Sequence, residues 1–301
     1  MARPSRVRYR RGMRVAPLSR SELEQAELVL ADSCAFDRAT DVAEEKLFGP
    51  APASSDPPLA FGAWDGGTLV GVAAMHAKWL RVLAVVPRAR RRGAGSALLA
   101  ACEEAGARRT LDQPGNYLAP GIDIRNTETV AWLERRGWQR AGEPRTNVLI
   151  QVRGNPRVSA ERAHELATAA AARGYEIRRA RADETALLDA VAREFGGAWP
   201  FELGRALAYA QPGVHVALED GLYCAFAAHD GNNQGLGWFG PTGTWPAHRG
   251  QGLGEALLVA CLVDVAAEHA RCEVAWIGPR PFYEKVAGIV EDRHFVVLTK
   301  G

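Results

Sequence analysis

One short pattern occurs twice in the chain. Residues 87 to 99 read PRARRRGAGSALL, and residues 246 to 258 read PAHRGQGLGEALL. Pro87 falls on Pro246, Arg90 on Arg249, Gly93 on Gly252, Gly95 on Gly254 and Leu98-Leu99 on Leu257-Leu258, all at a shift of 159 positions (246 − 87). Solenoid repeats are several times shorter, so this period points to a duplicated domain. A length of 301 residues suits two domains.

Other elements repeat around that pattern with looser spacing. Each glycine-rich stretch leads into a helix, Ser96–Arg108 and Glu255–Ala270. A strand follows each, Asn116–Ile124 and Cys272–Ile277, and then a short helix, Thr129–Trp138 and Pro281–Gly288. Gly137 and Gly288 suit the left-handed position that closes a helix. A last strand ends each half, Asn147–Val152 and His294–Leu298. Upstream, Asp65-Gly66-Gly67 and Asp220-Gly221 sit between apolar runs as hairpin turns. A helix precedes each hairpin, Ser19–Ala35 and Asp183–Phe195. The joint lies within Arg153–Arg173, where AERAHELATAAAARG reads as a connecting helix, and the domains are set at 1–154 and 155–301. Strands and helices mixed in this way give an α/β (mixed α+β) class.

A tight glycine turn that opens a helix is an anion-binding device. The first N–H groups of a helix have no internal partner and carry the positive end of its dipole. Glycine lets that backbone approach phosphate oxygens, and nearby arginines attract a polyanion. Neither loop has the lysine of a P-loop, and the third glycine of a dinucleotide fingerprint is missing both times. The remaining alternative is a glycine turn that merely precedes a helix, which two copies in one register disfavour.

The bulk numbers narrow the partners. Apolar residues make up 47% and charged residues 24%, with a net charge of +2, too mild a balance to argue for nucleic acid. Arg3, Arg6, Arg8, Arg10, Arg11 and Arg14 form a basic N-terminal arm, read as a solvated lead-in to the first strand. Five cysteines without a Cys-x-x-Cys pair read as reduced thiols, with neither a disulfide frame nor a metal site, and a cytoplasmic location is expected. No apolar run approaches the ~20 residues of a membrane helix, and no secretory signal is visible, so no membrane partner is expected.

The two loops, Arg90-Arg91-Arg92-Gly93-Ala94-Gly95 and Arg249-Gly250-Gln251-Gly252-Leu253-Gly254, match the (Q/R)-x-x-G-x-(G/A) motif, and AWLERRGW and PFYEKVAG match the motif of the next helix. In both the chain resembles the GNAT superfamily of N-acetyltransferases, as two tandem domains from about residue 13 to the C-terminus. The resemblance implies, for each half, a mixed, mostly antiparallel sheet flanked by helices. It implies acetyl-CoA as co-substrate, with no metal. Arg90, Arg91, Arg92, Gly93, Ala94, Gly95 and Ser96 would bind its diphosphate in the first half, and Arg249, Gly250, Gln251, Gly252, Leu253, Gly254 and Glu255 in the second. The pantetheine arm would pair with the preceding strand, at Leu83 and Val85 or at Thr242 and Thr244, and Asn126 joins the coenzyme-binding set. Gly240 and Gly243 interrupt the second of these strands, as a bulge or a close ligand approach would require.

The same resemblance implies a tyrosine that protonates the departing thiolate. The second half has it as Tyr283 in Phe282-Tyr283-Glu284-Lys285, whereas the first half reads Trp132-Leu133-Glu134-Arg135. The C-terminal domain is therefore expected to be catalytic, with Tyr283 as general acid; Tyr283 packing on its helix is the alternative. Tyr117 is a weak candidate donor in the first half. No general base stands out: His76, Glu202, His229, Asp230 and His248 read more simply as surface or structural groups. The resemblance places Trp199 and Phe201 where the family has its variable acceptor-binding segment, to line a pocket, with core residues under a loop as the alternative. The expected activity is acetyl transfer to a primary amine of a small molecule, by a monomer or homodimer. The alternatives are a non-catalytic acyl-CoA-binding or regulatory protein, and a nucleic-acid binder, for which no motif exists here.

Overall fold

The computed structural model describes residues 12–52 and 56–301. The basic arm up to Arg11 lies outside the described residues, while Arg14 stacks over the Trp64 ring at 4.5 Å. The elements run in order β1 Met13–Pro17, α1 Leu23–Ser33, α2 Ala43–Phe48, β2 Leu59–Asp65, β3 Thr68–His76, β4 Trp79–Val85, α3 Ala94–Glu104, β5 Arg109–Thr110, β6 Ile122–Asp123, α4 Thr127–Glu134 and β7 Gln139–Arg140. The series continues with β8 Arg145–Gln151, α5 Ala160–Ala171, β9 Glu176–Arg179, α6 Ala186–Glu194, α7 Trp199–Leu207, β10 Val214–Glu219, β11 Leu222–His229, β12 Trp238–Thr244, α8 Leu253–Glu268, β13 Arg271–Val274, α9 Arg280–Val286, β14 Glu291–Val296 and β15 Leu298–Thr299.

The described residues pack as two units, one of those up to Arg145 together with Phe295–Gly301, the other Thr146–His294. The first carries a seven-stranded sheet in the order β1-β2-β3-β4-β5-β15-β7. In the second the order is β14-β8-β13-β12-β11-β10-β9, and β6 pairs with the Phe295–Val296 end of β14. Strand pairing is mostly antiparallel; β4 with β5 and β12 with β13 run parallel. This is the mixed α/β architecture expected from the sequence.

Local chemistry explains the turns. Gly66 and Gly67 have φ of 55° and 89°, and Asp220 and Gly221 have 50° and 80°, so both hairpins use left-handed two-residue turns whose twist matches the strands. Gly137 and Gly288 likewise adopt positive φ just past α4 and α9. Ser159 caps α5 by accepting the Arg162 N–H at 3.2 Å. In the second unit α5, α8 and α9 cover one face of the sheet, where Leu257, Leu258, Cys261 and Leu262 meet Ala225, Ala227 and Phe239. Leu187 and Val191 of α6 with Leu203 and Ala206 of α7 cover the other, over Val214, Val216 and Phe226.

Three local expectations change. Of Asn116–Ile124 only Ile122–Asp123 is strand; the partner that follows α3 is the two-residue β5, and residues 111–123 turn through a largely buried segment. The strand expected to close the first half, residues 147–152, is β8 and lies beside β13, with Ile150 opposite Cys272. The C-terminal β15 instead completes the first sheet, between β5 and β7. An apolar alternation specifies a strand but leaves its partner open, because pairing is decided by distant residues. The spatial division thus falls after Arg145 and returns residues 295–301 to the first unit, whereas the sequence cut was drawn after residue 154. Finally, α2 and α7 form where the sequence showed no helix.

Candidate functional site

The two glycine loops have the same backbone. A 3-10 turn, Pro87–Ala89 or Pro246–His248, opens each. Arg91 and Gly250 then take positive φ, 60° and 78°, as do Gly93 and Gly252 at 101° and 73°, the residues that cap α3 and α8. Alternating signs of φ curl successive N–H groups into a concave nest at the positive end of a helix. The N–H groups of residues 91–96 and 250–255 donate to no acceptor among the described residues. That donor set fits a diphosphate.

Arg90 and Arg249 face away from the nest. The Nε of Arg90 donates to the Val85 carbonyl at 3.0 Å, and that of Arg249 to the Thr244 carbonyl at 3.3 Å. The first arginine of the motif ties the loop to the end of its strand. Ser96 accepts from Arg136 at 2.8 Å, and Glu255 pairs with Arg162 at 2.7 Å. Around the first nest remain Arg91 and Arg92, the latter 3.8 Å from Asp65. Around the second lies a cation that sequence reasoning missed, Arg173, which donates to the Gln251 carbonyl at 2.9 Å. It precedes β9, far away in sequence, and no local pattern marks it. Asn126 stands at the start of α4, where its N–H reaches the Asp123 carbonyl at 2.9 Å; no contact joins it to the loop.

Beside each loop the sheet opens. The last parallel pairs are Leu80 with Thr110 and Phe239 with Val274. Beyond them β4 and β12 run on without a partner on that side. The Val86 N–H reaches the Val70 carbonyl at 3.0 Å and the Trp245 N–H reaches that of Cys224 at 2.9 Å, both inward. Alternation along a strand then turns the N–H groups of Leu83, Val85, Thr242 and Thr244 to the open side. The fork therefore presents an unpaired strand edge that an extended amide chain can join.

Each fork has a bulge at its mouth. Arg81 is the extra residue between Leu80 and Val82, and in β12 Gly240-Pro241 oppose the single residue Ala228. A Cβ on Gly240 would meet nothing within 4 Å. Arg81, at the equivalent position, is 0% exposed and donates to Gln113 at 2.5 Å and to the Gly49 carbonyl at 2.7 Å. Gln113 also bonds His76 at 2.7 Å, and Asn116 joins Lys46 at 3.0 Å to the carbonyl of Pro50 at 2.8 Å. Burial, with the Arg81 charge beside it, lowers the His76 pKa and keeps the ring neutral. The first cleft is filled by its own side chains; the second has room. Tyr117 is buried in that first-half segment.

The residue after each fork differs in kind. Trp132 of α4 and Phe282 of α9 each lie 3.7 Å from the Cβ position of the second motif glycine, Gly95 or Gly254, so the two helices occupy equivalent places. The next residues are then Leu133 and Tyr283, both buried. The Tyr283 ring meets Phe239, the last paired residue of the fork, at 6.4 Å, and its hydroxyl has no hydrogen-bond partner among the described residues. Burial, and the nearby Cys272, push its pKa up to about 12, so it holds its proton at neutral pH. Trp199 stacks on Phe195 at 5.4 Å and belongs to the core; Phe201 carries Arg205 over its ring.

His229 and Asp230 lie at the other end of β11, away from the loop. Asp264 of α8 accepts from His215 at 2.7 Å and Arg179 at 2.5 Å, and His229 bonds Asp230 at 2.9 Å. Burial works against the charge on His229, but the hydrogen bond to Asp230 and the Asp264 carboxylate 3.5 Å from its Nε2 outweigh it and raise its pKa to about 9. Burial likewise opposes the charge of Asp264, yet His215, His229 and Arg179 hold it well below the carboxylate range. This is a structural network of the second unit.

Comparisons with known proteins agree with this architecture. Residues 25–138 match the model of the acetyltransferase (GNAT) family, which uses acetyl-CoA as co-substrate. No curated protein matches the chain. Among solved structures, a GCN5-related glucosamine N-acetyltransferase region of a fungal multi-domain GH3 beta-N-acetylglucosaminidase superposes with a TM-score of 0.72 at 17% identity; the match covers 95% of this chain and 38% of that one. A tandem GNAT protein from the clavulanic acid biosynthesis pathway gives 0.64 at 20% identity, over 95% of this chain and 98% of that one. A GCN5-related N-acetyltransferase from Sphaerobacter thermophilus gives 0.60 at 16%, over 97% and 96%. At these identities the structures speak for the fold alone. Among the described residues no helix is long and apolar enough to cross a membrane. The GNAT family model thus covers residues 25–138, and over 95% of the chain the fold is that of a tandem GNAT protein.

Proposed function

We propose that the chain is an acetyl-CoA-dependent N-acetyltransferase whose second unit transfers the acetyl group to a primary amine of a small acceptor. One juxtaposition carries this reading: an unbonded, protonated Tyr283 hydroxyl beside the fork at Phe239, next to an open cleft at Gly240. When bound, acetyl-CoA supplies an activated thioester. The N–H groups of residues 250–255 would hold its diphosphate, and the edge of β12 at Thr242 and Thr244 would hold its pantetheine arm. An outward N–H on that edge is a donor for the thioester carbonyl as it gains charge. Tyr283 Oη holds the proton that the departing sulfur takes. The five unpaired cysteines suit a reducing compartment such as the cytoplasm.

The first unit supports a different role, coenzyme capture without turnover. It keeps the nest and adds Arg88, Arg91 and Arg92 where the second unit has Ala247, Gly250 and Gln251. It lacks the tyrosine, and Arg81 fills the cleft.

Thiol release from acetyl-CoA over a panel of small amines tests the activity. Tyr283→Phe is expected to lower kcat about a hundredfold while leaving coenzyme affinity within about twofold. Unchanged turnover removes Tyr283 from the mechanism. Binding without turnover on any amine extends the capture role to the whole chain.

A further inference from the structure

Three side chains at the root of the second nest have no part in the proposed transfer. Glu219 ends β10, Cys224 lies on β11, and His248 closes the 3-10 turn that leads into Arg249. Their ligand atoms, a carboxylate oxygen, a thiol sulfur and a ring nitrogen, all lie within 4.8 Å of one another. The Nδ1 of His248 is 3.7 Å from Glu219 Oε2 and 3.3 Å from the Tyr175 hydroxyl, whose ring meets the imidazole edge-on at 5.8 Å. Cys224 is the bulged residue of β11: Ala225 pairs with Ala217 and Tyr223 with Leu218, leaving it between. Its sulfur contacts the Leu222 carbonyl at 3.4 Å.

The fold does not require this trio. In the first unit the same bulge falls at Val70, the strand before the turn ends at Asp65, and the 3-10 turn ends at Ala89. The backbone bond from Val86 to Val70 repeats as Trp245 to Cys224, which fixes the correspondence. Two of the three equivalent positions in the first unit are thus apolar, and that unit folds the same way. The trio is thus a choice of side chains and not a consequence of the architecture that the two units share.

We propose that Cys224, His248 and Glu219 bind one divalent transition ion of the zinc type, pinning the root of the second diphosphate nest to the β10–β11 hairpin. Sulfur, nitrogen and oxygen donors in this combination select such an ion over magnesium or calcium. Glu219 is partly exposed, which leaves a side open for a water or the Tyr175 oxygen as fourth ligand. Binding needs the thiolate, so the Cys224 proton passes to solvent and the ion replaces it. Because His248 directly precedes Arg249, occupancy tightens the loop that presents residues 250–255.

The test uses the full chain, stripped with a chelator and kept reduced, and titrated with Co²⁺. A thiolate-to-cobalt charge-transfer band is expected at one equivalent, removed by added Zn²⁺. Cys224→Ser is expected to abolish it. His248→Gln and Glu219→Gln, both at partly exposed side chains, are expected to weaken Zn²⁺ binding at least about tenfold without loss of fold. Cys34→Ser, at the one cysteine that is not buried, is expected to leave the band intact. Absence of the band in the parent chain, its persistence in Cys224→Ser, its loss in Cys34→Ser, or undiminished Zn²⁺ affinity in both His248→Gln and Glu219→Gln would overturn the proposal.

Discussion

The two units share a nest, a fork and a bulge, and they differ in what stands at the bulge. Arg81 projects into the first cleft and is bonded there on two sides; Gly240 leaves the second cleft vacant of side chain. Leu133 and Tyr283 differ in the same sense. A duplicated scaffold can thus keep the same loop backbone in both copies while the side chains beside it diverge. Backbone donors survive side-chain change, because the nest depends on φ at two positions and on little else.

The largest expected effect tests the filled cleft. Arg81→Leu leaves Gln113 and the Gly49 carbonyl without a buried cationic donor, and two such bonds at about 2 kcal/mol each put the loss near 4 kcal/mol. Denaturant unfolding of the first unit should show it, and a loss under about 1 kcal/mol would mean the cleft is loosely packed. Next comes the nest itself. Gly252→Val forces a β-branched residue to positive φ and is expected to lower kcat/KM about a hundredfold, the equivalent of two charged hydrogen bonds at about 1.5 kcal/mol. Gly93→Val should leave turnover intact and remove one bound coenzyme. If Gly93→Val instead abolishes turnover, the assignment of the units is reversed.

A third experiment separates the units by pH. His229 has a folded pKa raised to about 9 from 6.5, so its contribution is fully present below pH 6.5 and is lost as pH rises through 9. After allowance for residual solvent this is about 2 kcal/mol, confined to the second unit and absent in His229→Gln. A flat stability profile over that window in the parent chain would show that Asp230 and Asp264 do not hold the charge. The smallest effect is at the surface. Arg92 is exposed and Asp65 half-buried, 3.8 Å apart, so Arg92→Ala should change stability by less than about 0.5 kcal/mol. Its expected signature is weaker, less salt-sensitive coenzyme binding at the first nest, measured by calorimetry at two ionic strengths.

Much of the site was legible beforehand because it is local. The turns at Gly66-Gly67 and Asp220-Gly221, and the left-handed glycines at 93, 252, 137 and 288, follow from residues a few positions apart. Arg90 and Arg249 were visible as motif members, but their turn toward Val85 and Thr244 was not, since a motif gives identity and not direction. Of the strand expected over residues 116–124 only Ile122–Asp123 forms, because the other residues are buried in irregular chain, where periodicity carries no signal. Arg173, Cys224 and Glu219 were missed for the same reason as the partner of β8: each acts with residues far off in sequence.

The sequence by itself determined the duplication, the two glycine turns that open α3 and α8, and the tyrosine of the PFYEKVAG segment that the first unit lacks, because each is written in neighbouring residues at fixed spacing. Only the tertiary structure decided that β8 pairs in the second sheet and β15 in the first, that Arg81 fills one cleft, and that a thiol, an imidazole and a carboxylate meet below the other nest. Those outcomes depend on contacts between residues distant along the chain, selected by burial and pairing over the whole sheet rather than by any local preference.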